Sequence, residues 1–286
     1  MFPERLEYHV AGHINAAFDW VFDTFGGFFD WVSARILGLL IRISIMLEAV
    51  PWWGYILVVL VLAWFTSRKV ATTVALTLLP VVIGIFGLWG LAVDTLSVIL
   101  TAVFISIIIG VPIGVLMSEF GLADTLIRPI LDAMQTMPSF VYLIPAVMLF
   151  GLGTVPAVLA TIIYSLPPII RLTNLGLRQV SPEVEEAALS YGTTRLQLLR
   201  EVRIPLAMPS ILAGVNQTTM MALAMVVISS MIGGGGLGYE VLRSINRIDV
   251  GNGFQAGISV VILAIVIDRL TQGFAQRWEP PKPRAS

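Results

Sequence analysis

The side chains in this sequence that could do chemistry are few, and their spacing limits what that chemistry can be. His9 and His13 are the only histidines, four apart, so on one helix face they could hold a metal ion. No third ligand type stands convincingly beside them, which favours a solvated helix face. Cysteine is absent, and disulfides, thiolate metal sites and thiol nucleophiles go with it. The run Gly233-Gly234-Gly235-Gly236-Leu237-Gly238-Tyr239 resembles a phosphate cradle only at first sight. No Lys-Ser or Lys-Thr follows it, and G-x-x-x-x-G-K-[ST] occurs nowhere in the chain. It reads either as a flexible turn after a membrane crossing or as an outer gate or receptor contact, where glycine permits close backbone approach. No catalytic residue, metal or cofactor is expected in this chain.

What the sequence does carry is a dense block of charge at residues 185–205, EEAALSYGTTRLQLLREVRIP, with Glu185, Glu186, Arg195, Arg200, Glu201 and Arg203 set between long apolar runs. Of the 286 residues, 57% are hydrophobic and 12% charged, and the mean hydropathy is +0.90. Those values lie outside the range of soluble globular domains. Several apolar runs approach or exceed the roughly 20 residues a helix needs to cross a bilayer. The chain therefore reads as an all-α polytopic membrane protein whose surroundings are lipid, and its net charge of -1 gives no reason to expect nucleic acid.

The elements that must hold the charged block follow from the apolar period. Residues 1–50 read as an extracytoplasmic N-terminal segment. No signal-peptide pattern opens it, so the chain is expected to begin near Met1. From 28 to 47, apolar residues recur at helical spacing with Arg35 and Arg42 on another face. A polar stripe of this kind favours a helix lying along the interface over one crossing the lipid, because central arginines are costly in hydrocarbon. About seven crossings of adequate apolar character follow within 51–275: 51–66, 70–90, 94–117, 138–152, 154–178, 206–232 and 253–273. The fourth is short and must contain Pro145. The stretch before it, GLADTLIRPILDAMQTMP, suits a helix near the membrane surface. Pro112 and Pro167-Pro168 are expected to kink their helices. Residues 276–286 are Pro-rich and polar and read as a disordered cytoplasmic tail, and no tandem repeat is visible.

Basic residues fix the expected orientation. With the N-terminus outside, Arg68, Lys69, Arg128, Arg171, Arg178, Arg195, Arg200, Arg203, Arg269, Arg277, Lys282 and Arg284 fall on or near the cytoplasmic side. Arg5, Arg35, Arg42, Arg243 and Arg247 remain outside. The charged block is then cytoplasmic. Ser181-Pro182-Glu183 predicts a helix start, with a serine cap, proline in the first turn and acids at the positive end of the dipole. That first helix should run from 182 to 191 and end at Gly192 in a left-handed conformation. Thr193 or Thr194 should cap a second helix through Val202, and Ile204-Pro205 should stop it. The first helix offers Ala187 and Ala188 beside Glu186 for close approach by a partner. The second sets Leu196, Leu198 and Leu199 beside its arginines. Composition alone leaves two readings open, a docking element or a solvated segment that merely enforces topology.

One resemblance separates them. Glu186-Ala187-Ala188, three residues, Gly192, nine residues, then Val202-Arg203-Ile204-Pro205 resembles the EAA loop of ABC importer permeases, whose pattern ends in I-x-L-P. The departures, Val202 and Ile204, are conservative. Across most of residues 70–275 the chain also resembles the permease subunit of glycine betaine/proline betaine importers, in RPILDAMQTMPSF…LRQV and IPLAMPSIL…RIDVG. The resemblance implies a type I ABC importer permease architecture in a bacterial cytoplasmic (inner) membrane. It implies that 181–203 are coupling helices, with Glu186, Ala187, Ala188, Gly192, Ile204 and Pro205 meeting a separate cytoplasmic ATPase that binds the ATP and Mg. It further implies a second permease copy, as a homodimer, and an extracytoplasmic substrate-binding protein.

Path-lining residues are less sharply marked. Asn216, Gln217, Thr218 and Thr219 place polar groups inside the sixth crossing, where they pair between helices or face water. Met220, Met221 and Met225 suit either soft path walls or plain packing. Two other classes compete with a permease. An ion-coupled secondary transporter needs ionisable groups at mid-membrane, which are scarce, since Arg171 and Asp268 fall near cytoplasmic ends. An osmotically gated channel leaves the EAA spacing without a purpose.

Overall fold

In a computed structural model the structure describes residues 10–278, and every regular element among them is helical. His9, Arg5 and the tail from Glu279 onward lie outside the described residues. The helices are α1 (Ala11–Glu48), α2 (Trp52–Ser67), α3 (Val70–Ile85), α4 (Trp89–Glu119), α5 (Gly121–Thr136), α6 (Leu143–Phe150), α7 (Thr154–Arg178), α8 (Pro182–Ser190), α9 (Arg195–Gln197), α10 (Ile204–Ser229), α11 (Gly236–Arg247) and α12 (Val250–Arg277). The last runs to Arg277, so the first residues of the expected tail are helix.

All seven expected crossings are helical, but they are not seven straight spans. Among the described residues four helices are long and apolar enough to cross alone: α4, α7, α12, and the continuous run Arg195–Ile232 that contains α9 and α10. Two bent pairs, α1 with α2 at 93° and α5 with α6 at 112°, bring the number to six if each pair is one span. The expected crossing at 138–152 is a 3-10 turn, Ser139–Tyr142, followed by an eight-residue helix. Eight residues rise about 12 Å, well short of a bilayer core. The break has a local cause. Met137 precedes Pro138 and is pushed to ψ 135, which ends α5. Elsewhere proline is tolerated: Pro80, Pro112, Pro167, Pro168 and Pro209 all lie inside continuous helices.

The centre of the bundle is α4, α7 and α10. They approach closely because small residues face one another, as in lipid, where packing rather than water exclusion holds helices together. Gly110 and Gly114 sit four apart on α4 against α7. A Cβ at Gly114 would come within 2.6 Å of Thr173 Cβ and 2.7 Å of the Ile170 carbonyl oxygen. Around this seam Val98, Ile99, Ala102, Val158, Ile162, Leu223 and Val226 form a buried cluster that also receives Ile36 and Leu40 of α1.

Helix α1 starts well before the expected position at 28 and runs 38 residues. Its Phe29 ring packs edge-on against Phe150 at the end of α6, centroids 5.5 Å apart. Near its other end the Leu47 carbonyl accepts from the Tyr55 hydroxyl at 2.7 Å, and Tyr55 packs on Trp89 at the start of α4. Both contacts lie at the same end of the bundle, and between them Ile36 and Leu40 are buried in the cluster formed with α4 and α7.

Candidate coupling site

The opposite end of the bundle carries the charged block. Pro182 opens α8 in its first turn, with Glu183 and Glu185 at the positive end of the helix. Ser181 occupies the N-cap position, yet its hydroxyl donates to the Glu183 carboxylate instead of accepting a backbone N–H, which differs from the expected serine cap. That bond holds the Glu183 carboxyl below its ordinary pKa. At the far end Tyr191 N–H reaches back to the Ala187 and Ala188 carbonyls, and Gly192, at φ +86, turns the chain. A Cβ at Gly192 would meet nothing within 4 Å. Glycine is required there by backbone conformation, not by space.

Thr194, one of the two threonines expected as the second cap, makes the capping box with Gln197: Gln197 N–H donates to its hydroxyl at 3.3 Å, and the Gln197 side chain accepts from Thr194 N–H at 2.9 Å. Ile204-Pro205, however, does not stop the helix. Residues Leu198–Arg203 form a π-helical stretch that leads directly into α10. Proline lacks an N–H and crowds the carbonyl four residues back, and the wider π geometry just before Pro205 accommodates it. The second of the two expected coupling helices is thus the first part of α10's own shaft.

Glu186 and Ala187 are exposed, Ala188 is half-buried, and Ile204 packs on Leu177, Ala207 and Ile211. Beneath this face one residue ties three elements together. Arg203, whose side chain is 13% exposed, pairs with Glu185 of α8 at 3.2 Å and with Glu119 at the end of α4. It also donates to the Leu177 carbonyl of α7 at 3.2 Å. A second network lies alongside. Asp124 accepts from Arg128 at 2.7 Å and from Asn174 at 2.9 Å, and Arg178 donates to Asn174 Oδ1 and to the Met117 carbonyl, each at 2.8 Å. The i, i+4 spacings of Asp124 with Arg128 and Asn174 with Arg178 were visible in the sequence. The partners of Arg203 were not.

The expected path residues separate. Asn216 turns toward α12, donating to Asp268 at 3.1 Å and accepting from Thr271. Gln217, the next residue, lines a polar cavity of about 600 Å³ between α5 and α7. Thr218 is fully buried, Thr219 bonds back to the Val215 carbonyl, and Met221 is half-buried. Met225 is 0% exposed and packs with Tyr142, Ala157, Ala160 and Ile232.

The glycine run is a packed turn at the other end. Gly233, Gly235 and Gly236 have positive φ, and a Cβ at Gly236 would collide with Thr95 Oγ1. Leu237 N–H donates to that same oxygen at 2.8 Å, while Gly153 N–H donates to the Ile232 carbonyl at 2.8 Å. Gly234 fits closely under the Ser229 carbonyl.

A helical bundle with membrane-length apolar helices, small-residue turns at one end and an exposed, ion-tethered segment at the other has the build of a multi-pass membrane protein. The chain belongs to the family of binding-protein-dependent transport system inner membrane components, which matches residues 106–280. It is 48% identical over 262 residues to the glycine betaine/proline betaine transport system permease protein ProW of Escherichia coli (strain K12), covering 91% of this chain and 73% of that one. It is 44% identical over 258 residues to the glycine betaine/carnitine transport permease protein GbuB of Listeria monocytogenes, covering 88% and 91%. The fold matches that of the methionine ABC transporter MetNI in an inward-facing conformation, with a TM-score of 0.60 at 20% identity over 65% of this chain and 94% of that one. The architecture is that of a type I ABC importer permease. The chain is an inner-membrane, multi-pass transport component and not an enzyme, and it works with a separate ATPase and a substrate-binding protein.

Proposed function

We propose that this chain forms the membrane path of an ATP-driven importer for glycine betaine, proline betaine or a related methylated amine such as carnitine, and receives the ATPase stroke through residues 181–205. The observation that carries the coupling half is the construction of that segment: an exposed Glu186-Ala187 edge, a left-handed Gly192, and Arg203 fastening the whole to α4 and α7. An ATPase seated on Glu186, Ala187, Ala188 and Gly192 would pass its displacement through Ile204 and Pro205 into α10, because second helix and shaft are continuous. The cargo half rests on the relatives, whose names share glycine betaine.

In this reading the N-terminus lies outside and the C-terminus in the cytoplasm, on the side of the basic cluster. Two copies form a homodimer over a pair of ATPases. Helix α1 lies along the outer interface, which fits the Arg35 guanidinium folded over Trp31 at 5.5 Å. The glycine turn at Gly233–Gly236 then sits on the side where a cargo-loaded binding protein docks. Purified chain, ATPase and binding protein in proteoliposomes should import labelled glycine betaine only when ATP is supplied. Uptake that continues without nucleotide and follows an ion gradient would sink this reading.

A further inference from the structure

The cavity that receives Gln217 is unlike the rest of the bundle. Arg171 and Asp132 form an ion pair across it, joining α7 to α5. Gln135 and Gln217 add two amides, neither of which has a hydrogen-bond partner among the described residues, and no aromatic side chain lines it. Arg171 lies seven residues inside the end of α7, about 10 Å along the axis, whereas Gln217 is at the middle of α10, about 20 Å from its start. The cavity therefore runs from the coupling end toward mid-membrane.

Its charges are unequally committed. Arg178 is held by Asn174, Asp124 and the Met117 carbonyl, and Arg128 by Asp124. Arg171, like Arg128, has a single partner, here Asp132, but it alone of the three keeps a buried Nε with no acceptor among the described residues. The pair is solvated, with side chains 38% and 58% exposed, and solvated ion pairs exchange partners at little cost. A small molecule that brings one carboxylate and one cationic group can replace the pair and satisfy both charges at once.

We propose that this cavity is a binding station for a carboxylate-bearing zwitterion, Arg171 taking the carboxylate in a forked contact, Asp132 facing the cationic end, and Gln217 reaching the carboxylate from α10. This rests on the permease reading and deepens it: the path prefers betaines over amines that lack a carboxylate. Without an aromatic cage the cationic end is held only by charge, so binding is weak, as release into the cytoplasm demands.

Saturation-transfer NMR on the purified permease–ATPase complex in nanodiscs, without binding protein, tests it with glycine betaine, choline and acetate as probes. Glycine betaine should give transfer, with choline and acetate each about tenfold weaker, and Arg171→Met should weaken glycine betaine by about tenfold or more. Should Arg171→Met fail to fold, Gln217→Leu, which leaves the ion pair intact, should still reduce the signal. No transfer from glycine betaine, equal transfer from choline or from acetate, or an unchanged signal in a folded Arg171→Met or in Gln217→Leu overturns the station. If the complex nonetheless imports glycine betaine with ATP, the station alone is lost. If no ATPase binds and no ATP-driven uptake occurs, the permease reading itself fails.

Discussion

Gly192 and Arg203 hold the proposed coupling element in different ways, and their substitutions should separate. At Gly192 the space for a side chain is open and the obstacle is φ +86, so alanine costs about 1–2 kcal/mol of backbone strain. That is too little to unfold a bundle of this size, but enough to change the angle between α8 and α9. Gly192→Ala should insert and co-purify with its ATPase normally while uptake per ATP hydrolysed falls about fivefold. An unchanged ratio would remove the glycine from the coupling path. Arg203 is structural in a stronger sense. Breaking a buried ion pair costs about 3–5 kcal/mol, but Glu119 and Glu185 are 34% and 30% exposed, so Arg203→Met should lose nearer to about 1–3 kcal/mol. Its melting temperature in detergent should fall clearly. Glu119→Gln and Glu185→Gln should each fall less, since each leaves the arginine its other partner and the Leu177 carbonyl.

At the scale of elements, what the sequence discloses depends on how local the cause is. The apolar runs of α4, α7, α10 and α12 are their own evidence, and the Gly192 turn and Thr194 cap are decided within a few residues of themselves. The break at Met137-Pro138 was equally local. Reading 138–152 as a crossing gave hydropathy more weight than the length of helix that proline leaves. The π stretch at Leu198–Arg203 was hidden, because hydropathy cannot distinguish a stop at Pro205 from a widened helix that continues through it. The Arg203–Glu119 pair joins residues 84 apart, which only the fold brings together. Gly110 and Gly114 lie between these cases: their spacing marks a helix contact, but the partner helix is named only by Thr173 and Ile170. Gly114→Val puts a Cβ 2.6 Å from Thr173 Cβ, where α7 already stands, and adds two methyl carbons beyond it. Overpacking of this kind costs about 1–3 kcal/mol and should appear as a lower melting temperature and reduced folded yield. Gly90→Ala, on the same helix with nothing within 4 Å, should do neither.

For the whole molecule the open quantity is which end faces which side, and the two bundle ends give it a physical handle. Arg178, Arg203 and Arg277 sit at the coupling end, the last reaching the Phe65 carbonyl of α2. Arg243 and Arg247 ride on α11, on the side of the glycine turn. The basic bias therefore follows the fold, and under the proposed function the positive-inside rule assigns the coupling end to the cytoplasm. Helix α1 carries the remaining ambiguity. If its whole length stays at the outer interface, Val10 and Ile248 share a side. If α1 crosses, Val10 moves to the side of Ser190. Because the chain has no cysteine, single replacements report position without background, and Val10, Ser190 and Ile248 are all exposed. With a membrane-impermeant maleimide on intact spheroplasts, Val10→Cys and Ile248→Cys should label, and Ser190→Cys should label only after permeabilisation. Labelling of Ser190→Cys from outside would invert the orientation and detach the coupling segment from any cytoplasmic ATPase. Protection of Val10→Cys alone would leave the orientation standing and turn α1 into a further span.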